Sequence, residues 1–457
     1  MRESKSRLEL LPVEAIQAIQ CLIENVPDLL SIILTCKAIY KAFVSAEQFI
    51  LKQVLTNEIG SEVLSEAVLT ALISRQVPVS DDVLDEYDNC FIENDRDIEL
   101  KAYSDLRICD ALFLSKLHSH VVYFTNDFIS KAFASRIFTK NNSITIWQLP
   151  ASDKEKRRIQ RTFYHFQIYC YIVYGKKTLF PVHLHLDQNR IFFNHFSVWE
   201  NEQLACVHDY MFRIIAPGFD ELVDHDVEWG EYMMEYASFD DPENIEPLIA
   251  RGLFAIRNMV EAKSYEQIRK AYCQNYPEYS SHLLDHGLRN STNGSGEDEW
   301  YWLEDYSKED DDKFINKPVW CDDNDKGPEL VWRWAHQSCN SINFVLCDKH
   351  RFEREWGYVM WDYSRILELR VMENEWERTD DAENGRGSRP SRESMDRRGI
   401  IYRAGGRGWW TAEDESKVVW PDGCAPWDKP VKPGRWDSKD GRSIDEAKDF
   451  IKRLKLP

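Results

Sequence analysis

The chain has 457 residues, a formal net charge of -21 and a pI near 5.1. A field this negative repels phosphate backbones and anionic lipid headgroups, which argues against nucleic acid and membrane surfaces as partners. The hydrophobic share of 43% can fill cores, and the length predicts two or three domains rather than one.

No stretch reads as a membrane segment. The longest uncharged apolar run, Phe163 to Gly175, is too short for a bilayer, which takes roughly 20 residues. Met1-Arg2-Glu3-Ser4-Lys5 leads into patterned sequence rather than a secretion signal. The eleven cysteines contain no Cys-x-x-Cys and read as buried thiols of a reducing compartment, cytoplasmic or nuclear.

In chain order, Leu8 to Ile16 opens with a helix start. Pro12 lacks the N–H that would be orphaned there, and Glu14 complements the helix dipole. Val13, Ile16, Ile19 and Ile23 supply an apolar face. Asn25-Val26-Pro27 breaks that helix, and Pro27 suits the start of the next. Leu29, Ile33, Cys36, Tyr40 and Phe43 then step by four and three, which predicts one helix face. The same rhythm recurs at Ile159, Phe163, Phe166, Cys170 and Val173, with Arg157, Arg158 and Arg161 on the wet side. Leu204, Val207, Met211 and Ile214 repeat it, as do Phe352, Trp356, Val359, Tyr363 and Ile366. Strand signals are weak. Residues 178–196 could hold a short hairpin, with Pro181 at an edge. The chain therefore reads as mainly α.

Composition shifts mark further boundaries. Residues 290–328 turn polar and acidic, the pattern of a long loop. Residues 373–408 read as a flexible linker rich in Gly, Arg, Ser, Asp and Pro. Thirteen of the sixteen tryptophans lie at or beyond Trp300. Disordered tails are poor in aromatics, so residues 409–457 are expected to dock on the helical body of residues 61–372.

Sites for chemistry are weak. His282-Leu283-Leu284-Asp285-His286 places two histidines on one helix turn, with Gly287 as a C-cap. His183 and His185 alternate, with His195 nearby. Cys339, Cys347 and His350 match no zinc module. Asp224, His225, Asp226 and Glu228 read as a solvated cluster at a helix end. The arginines from Arg386 to Arg407 read as a segment resting on the protein's own acidic surface. There is no Gly-x-Ser-x-Gly elbow, P-loop or dinucleotide fingerprint. No cofactor, metal or catalytic residue is therefore expected, and the chain is read as an adaptor rather than an enzyme.

The N-terminal motifs carry a resemblance. Leu11-Pro12-Val13-Glu14, Asp28-Leu29-Leu30 and Thr35-Cys36-Lys37 stand in the order and at the spacing of an F-box. The first 45 or so residues resemble that motif, and the continuation from Ala46 to Gly60 is similar to fungal F-box-like proteins of unassigned activity. Tyr40 stands where many F-boxes have tryptophan, and Ile16 to Ile19 is less bulky than usual. The resemblance implies a helical module over residues 1–60 that packs on a Skp-type adaptor of a cullin–RING ubiquitin ligase and recruits an unidentified protein target. It implies a partner surface drawn from Leu10, Leu11, Pro12, Ile16, Leu29, Leu30, Ile33 and Leu34. The alternatives are a scaffold of the same fold with no ligase role, and a metal-dependent hydrolase using the histidines.

Overall fold

The structure, a computed structural model, describes residues 8–75, 106–134, 150–174, 188–189, 191–273, 284–292, 302–307, 309, 324–373 and 388–421. Among these it is mainly α, with one short two-stranded sheet. The helices are α1 (Val13–Cys21), α2 (Val26–Ile33), α3 (Lys37–Val44), α4 (Glu47–Ile59), α5 (Leu64–Ser74), α6 (Ile108–Ala134), α7 (Asp153–Tyr169) and α8 (Val198–His225). There follow α9 (Val227–Glu231), α10 (Glu246–Ile249), α11 (Gly252–Glu261), α12 (Tyr265–Cys273), α13 (Leu284–Arg289), α14 (Gly327–His336), α15 (Arg351–Trp356), α16 (Tyr363–Glu368) and α17 (Arg392–Arg403). No helix of the described residues is long and apolar enough to cross a membrane.

The chain divides into two compact units. One comprises Met1–Asp220 with Ala237–Arg386, the other Glu221–Tyr236 with Gly387–Pro457. The expected boundary near residue 60 is absent from this division. Glu58 on α4 supplies one reason. It accepts the backbone N–H of Val26 at 3.0 Å and the hydroxyl of Ser115 on α6 at 2.6 Å, so the N-terminal helices share hydrogen bonds with the body.

In the larger unit, α6 and α7 pack on each other, with α4 and α5 against them. Helix α7 starts with a capping box. Ser152 accepts the Glu155 N–H, and Glu155 accepts the Ser152 N–H. The expected stripe is buried at Ile159, Phe163 and Phe166. The expected wet side is wrong, because Arg158 and Arg161 are buried as well. Arg158 donates to the Met360 carbonyl at 2.6 Å and pairs with Asp362, while Arg161 pairs with Glu66 at 3.0 Å. A buried arginine needs such partners to offset its desolvation, and these partners are remote in sequence.

Two predicted stripes prove to be broken helices. The chain turns at Leu34–Cys36, so Leu29 and Ile33 lie on α2 whereas Tyr40 and Phe43 lie on α3. Likewise Gly357 ends α15 in the left-handed region at φ 71°, and Tyr358–Met360 continues as a 3-10 turn before α16. A Cβ on Gly357 would lie 2.7 Å from Phe128 Cζ. Gly357→Ala is therefore expected to cost about 1–3 kcal/mol from strain and overpacking together, read as a lower urea midpoint.

Gly287 also departs from expectation. It lies inside α13 rather than capping it. An added Cβ there would meet Gln188 and come within 2.8 Å of Phe193, so close packing accounts for the glycine.

The smaller unit is built on α9 and α17, with the antiparallel pair β1 (Arg407–Gly408) and β2 (Val418–Val419). Its core is Val227, Ile401, Trp410 and Val418, flanked by Tyr402 and Trp420. Residues 388–408, expected as a linker, instead form ordered structure. Ser391 caps α17 by accepting the Ser394 N–H, and buried Arg398 donates to the carbonyls of Val223 and Asp226 at 2.7 and 3.0 Å. Three other arginines meet carboxylates, Arg397 with Glu415, Arg389 with Glu235 and Arg403 with Glu231, while Arg407 donates to the carbonyls of Tyr402 and Gly406. Composition suggested a solvated coil because these acidic partners lie far along the chain. Asp226, expected to be solvated, is buried and caps α9. Trp409 and Trp410 pack within this unit, the Trp409 ring tilted at 35° against the His225 ring and the Trp410 carbonyl 3.1 Å from His225 Nδ1. Residues 422–457, most of 290–328, and 178–187 with His183 and His185 lie outside the described residues.

Candidate docking surface

Asn25 caps α2, accepting the Asp28 N–H at 2.8 Å. Pro12 sits just before α1, one position earlier than expected. Ile16, Ile39 and Ala42 form a small buried cluster with Ile32 and Cys36 against it. Two glutamines on α1 tie it to α3. Gln20 donates to the Ile39 carbonyl at 3.1 Å and Gln17 to the Ala42 carbonyl at 3.0 Å. On α4, Asn57 donates to the carbonyls of Cys21 and Ile23 at 2.9 Å each, satisfying the open end of α1.

The eight partner-surface residues divide. Leu10, Leu11, Pro12 and Leu34 are exposed, Leu10 at 68% and Leu34 at 71%. Leu30 is half-buried. Ile16, Leu29 and Ile33 are buried, which corrects their assignment to the outer surface. Ile16 faces the three-helix core, while α2 packs on α4 and α6. Periodicity places residues on a common face without saying whether that face is covered.

The sequence reading missed other exposed apolar side chains nearby. Leu8, Val13, Ile19, Leu22, Tyr40, Val44 and Phe49 are also exposed. With Leu10, Leu11 and Leu34 they make ten of the sixteen exposed large hydrophobics among the described residues, all within the first 49 positions. Single exposed apolar side chains are ordinary, and this concentration makes the N-terminal helices the candidate docking surface. A signal was available. Tyr40 and Val44, four apart on α3, share a face opposite Ile39, Ala42 and Phe43.

The other constellations divide as well. His282 lies outside the described residues, and His286 contacts Asn290 at 3.0 Å. Among the described residues no group of three or more His, Cys, Asp or Glu is gathered to hold a metal ion. A cleft of about 210 Å³ is lined by Arg158, Arg161, Trp199, Glu200, Gln203 and Lys326, among others. Both arginines are committed to the ion pairs described above. Cys339 Sγ, by contrast, lies 3.9 Å from His350 Nε2.

A buried charged cluster lies along α8. His208 is flanked by Asp209, at 3.0 Å, and by Glu246 of α10. Arg354 of α15 donates to Asp209 at 2.7 Å and lies 3.5 Å from Glu202, which also accepts the Tyr358 hydroxyl and the Leu346 N–H. All of these groups are buried. Burial opposes a charged His208, but Glu246 and Asp209 together overcome it and raise its pKa to about 10. Burial pushes Glu202 up, with Arg354 pulling the other way.

This cluster gives stability a definite pH dependence. Between pH 6.5 and about 10 the folded state keeps a proton on His208 that the unfolded chain releases, so its contribution is lost as pH rises through that window. His118 and His165 act oppositely. Burial lowers them to about 4 and about 3, so below pH 6.5 the unfolded chain takes up protons first and stability falls. Urea midpoints across pH 4–10 are expected to peak near neutrality. His208→Gln should flatten the alkaline limb, and an alkaline limb unchanged in that variant would refute the assignment.

Comparison with protein-family models, curated proteins and solved structures finds no match for this chain.

Proposed function

We propose that this chain is an F-box-like adaptor whose N-terminal helices dock on a Skp-type subunit of a cullin–RING ubiquitin ligase while the remainder receives a protein target. The observation that carries this reading is the concentration of exposed aliphatic and aromatic side chains within residues 8–49, around the Leu11-Pro12 and Leu34-Thr35-Cys36 segments. Association would bury those side chains in a partner groove, the ordinary physics of helix-in-groove recognition. The reading places the protein inside the cell and assigns it no catalytic residue.

The test is affinity purification of the intact chain from its native cell, followed by binding to the purified adaptor. Wild type should retain the adaptor, and Leu11→Ser/Pro12→Ala should lose it with an unchanged urea midpoint. Retained binding by that variant would remove Leu11 and Pro12 from the interface.

A second reading is a scaffold of the same fold with no ligase role. It is favoured by the Glu58 hydrogen bonds, which couple the N-terminal helices to the body. Under it no adaptor is retained, and α1–α3 share the body's protection from hydrogen exchange.

A further inference from the structure

Two short turns bound the stretch between α14 and α15, and each carries one histidine and one cysteine. His336 ends α14, and its carbonyl accepts the Cys339 N–H at 2.8 Å. Cys347 precedes the 3-10 turn Asp348–His350, and its carbonyl accepts the His350 N–H at 3.0 Å. Each His/Cys pair is thus three positions apart across a turn closed by its own hydrogen bond, the spacing at which side chains stand one above the other. Across the two turns, Cys339 Sγ lies 3.9 Å from His350 Nε2, and the imidazoles of His336 and His350 have centroids 4.6 Å apart. Ligands of one tetrahedral zinc ion lie at similar separations, about 3.6 Å from sulfur to nitrogen and about 5 Å between ring centres, given Zn–S of about 2.3 Å and Zn–N of about 2.1 Å.

Both rings present the nitrogen that a metal needs. His336 Nδ1 lies 2.9 Å from the Trp332 carbonyl, and His350 Nδ1 lies 3.4 Å from the Glu353 carboxylate. Oxygen accepts in both contacts, so the neutral rings carry the proton on Nδ1 and keep the lone pair on Nε2. His350 turns that lone pair towards Cys339. His336 Nε2 has no hydrogen-bond partner, although the residue is fully buried. A polar nitrogen left so in an interior is costly, and a bound cation removes the cost. Burial also holds His336 well below the usual imidazole pKa, in the form that ligates.

We propose that His336, Cys339, Cys347 and His350 bind one structural zinc ion that ties the end of α14 to the start of α15. No three of these donors are gathered to hold an ion as they stand. Zinc itself draws the set together, through rotation of the Cys339 and Cys347 side chains, which lie on turns and not within helices. Binding displaces one proton from each thiol to solvent, and two thiolates with two neutral imidazoles balance the charge of the ion. Cys347 is half-exposed and gives the ion its way in, while the other three residues are buried, as suits a closed structural site. His-x-x-Cys followed by Cys-x-x-His escapes a search for paired cysteines, because each turn contributes one ligand of each kind.

The test strips the intact chain with EDTA under reducing conditions and titrates it with cobalt(II), then with zinc. Cobalt is expected to bind one per chain, with the strong visible bands of a tetrahedral site and the near-ultraviolet charge transfer of thiolate ligands. One equivalent of zinc should bleach both signals and raise the urea midpoint. Cys347→Ser, at the half-exposed position, should keep its circular dichroism and bind cobalt at least about tenfold more weakly. Glu353→Gln, which loosens the hold on His350, should weaken zinc by about 10–100-fold at unchanged stoichiometry. Three results would overturn the proposal. One is failure of the stripped chain to retain either metal. Another is the weak spectrum of octahedral cobalt without thiolate charge transfer. The third is undiminished thiolate bands in a folded Cys339→Ser/Cys347→Ser variant, which would put the ion elsewhere.

Discussion

Arg354→Met is expected to destabilise the protein by about 3–5 kcal/mol, the range for breaking a buried ion pair from one side. The guanidinium sits between two carboxylates that have almost no access to water. Methionine fills much of the volume but leaves Asp209 and Glu202 charged or forced to take up protons. Removing a charge on the other side should then restore stability. Glu202→Gln in the Arg354→Met background keeps a carbonyl oxygen for the Leu346 N–H and turns an amide N–H towards the Tyr358 hydroxyl oxygen, while removing one uncompensated carboxylate. The double variant is expected to lie at least 1 kcal/mol above the single one, since groups in one network are coupled rather than additive. Equal urea midpoints for the two would mean that Arg354 acts through packing alone.

The second large effect separates surface from core within a single helical segment. Under the proposed adaptor reading, Leu10→Ser with Leu34→Ser removes two exposed aliphatic side chains from the docking surface. If each gives about 1.5–3 kcal/mol on burial in a partner, adaptor binding should weaken by roughly a hundredfold or more while the urea midpoint stays put. Leu29→Ala should do the reverse. Its side chain is fully buried on a helix that packs against α4 and α6, and the lost burial plus the cavity should cost about 2–5 kcal/mol of stability. Titration of the purified adaptor, paired with urea denaturation of each variant, reads both effects. Full-strength binding by the serine double variant would place the contact elsewhere.

The contrast between Leu29 and Leu34 also shows how far the sequence could be read. Helical periodicity gave the mainly α class and most of the buried stripe on α7. The breaks at Leu34–Cys36 and Gly357 escaped it, because a stripe can continue in register across a turn. Arg158, Arg161, Arg354 and Arg398 were illegible as interior residues. Their partners lie scores to hundreds of positions away, and arginine in isolation reads as surface. The same reason hid α17 inside an apparent linker, since its glycines and arginines suit a coil until the facing carboxylates are known. Exposure of Leu10 and Leu34 could be guessed from the excess of aliphatics over what two short helices can cover. The burial of Ile16, Leu29 and Ile33 needed the neighbouring helices.

The smaller unit draws its core from strands of chain that leave the ribosome far apart in time. Val227 emerges early, whereas Ile401, Trp410 and Val418 arrive only after the intervening segment has been synthesised. Until then Val227 has none of those three cluster partners, and joining it to them takes a long loop closure. A nascent chain halted before residue 388 would thus carry half an interior, ready for chaperones or proteases to recognise.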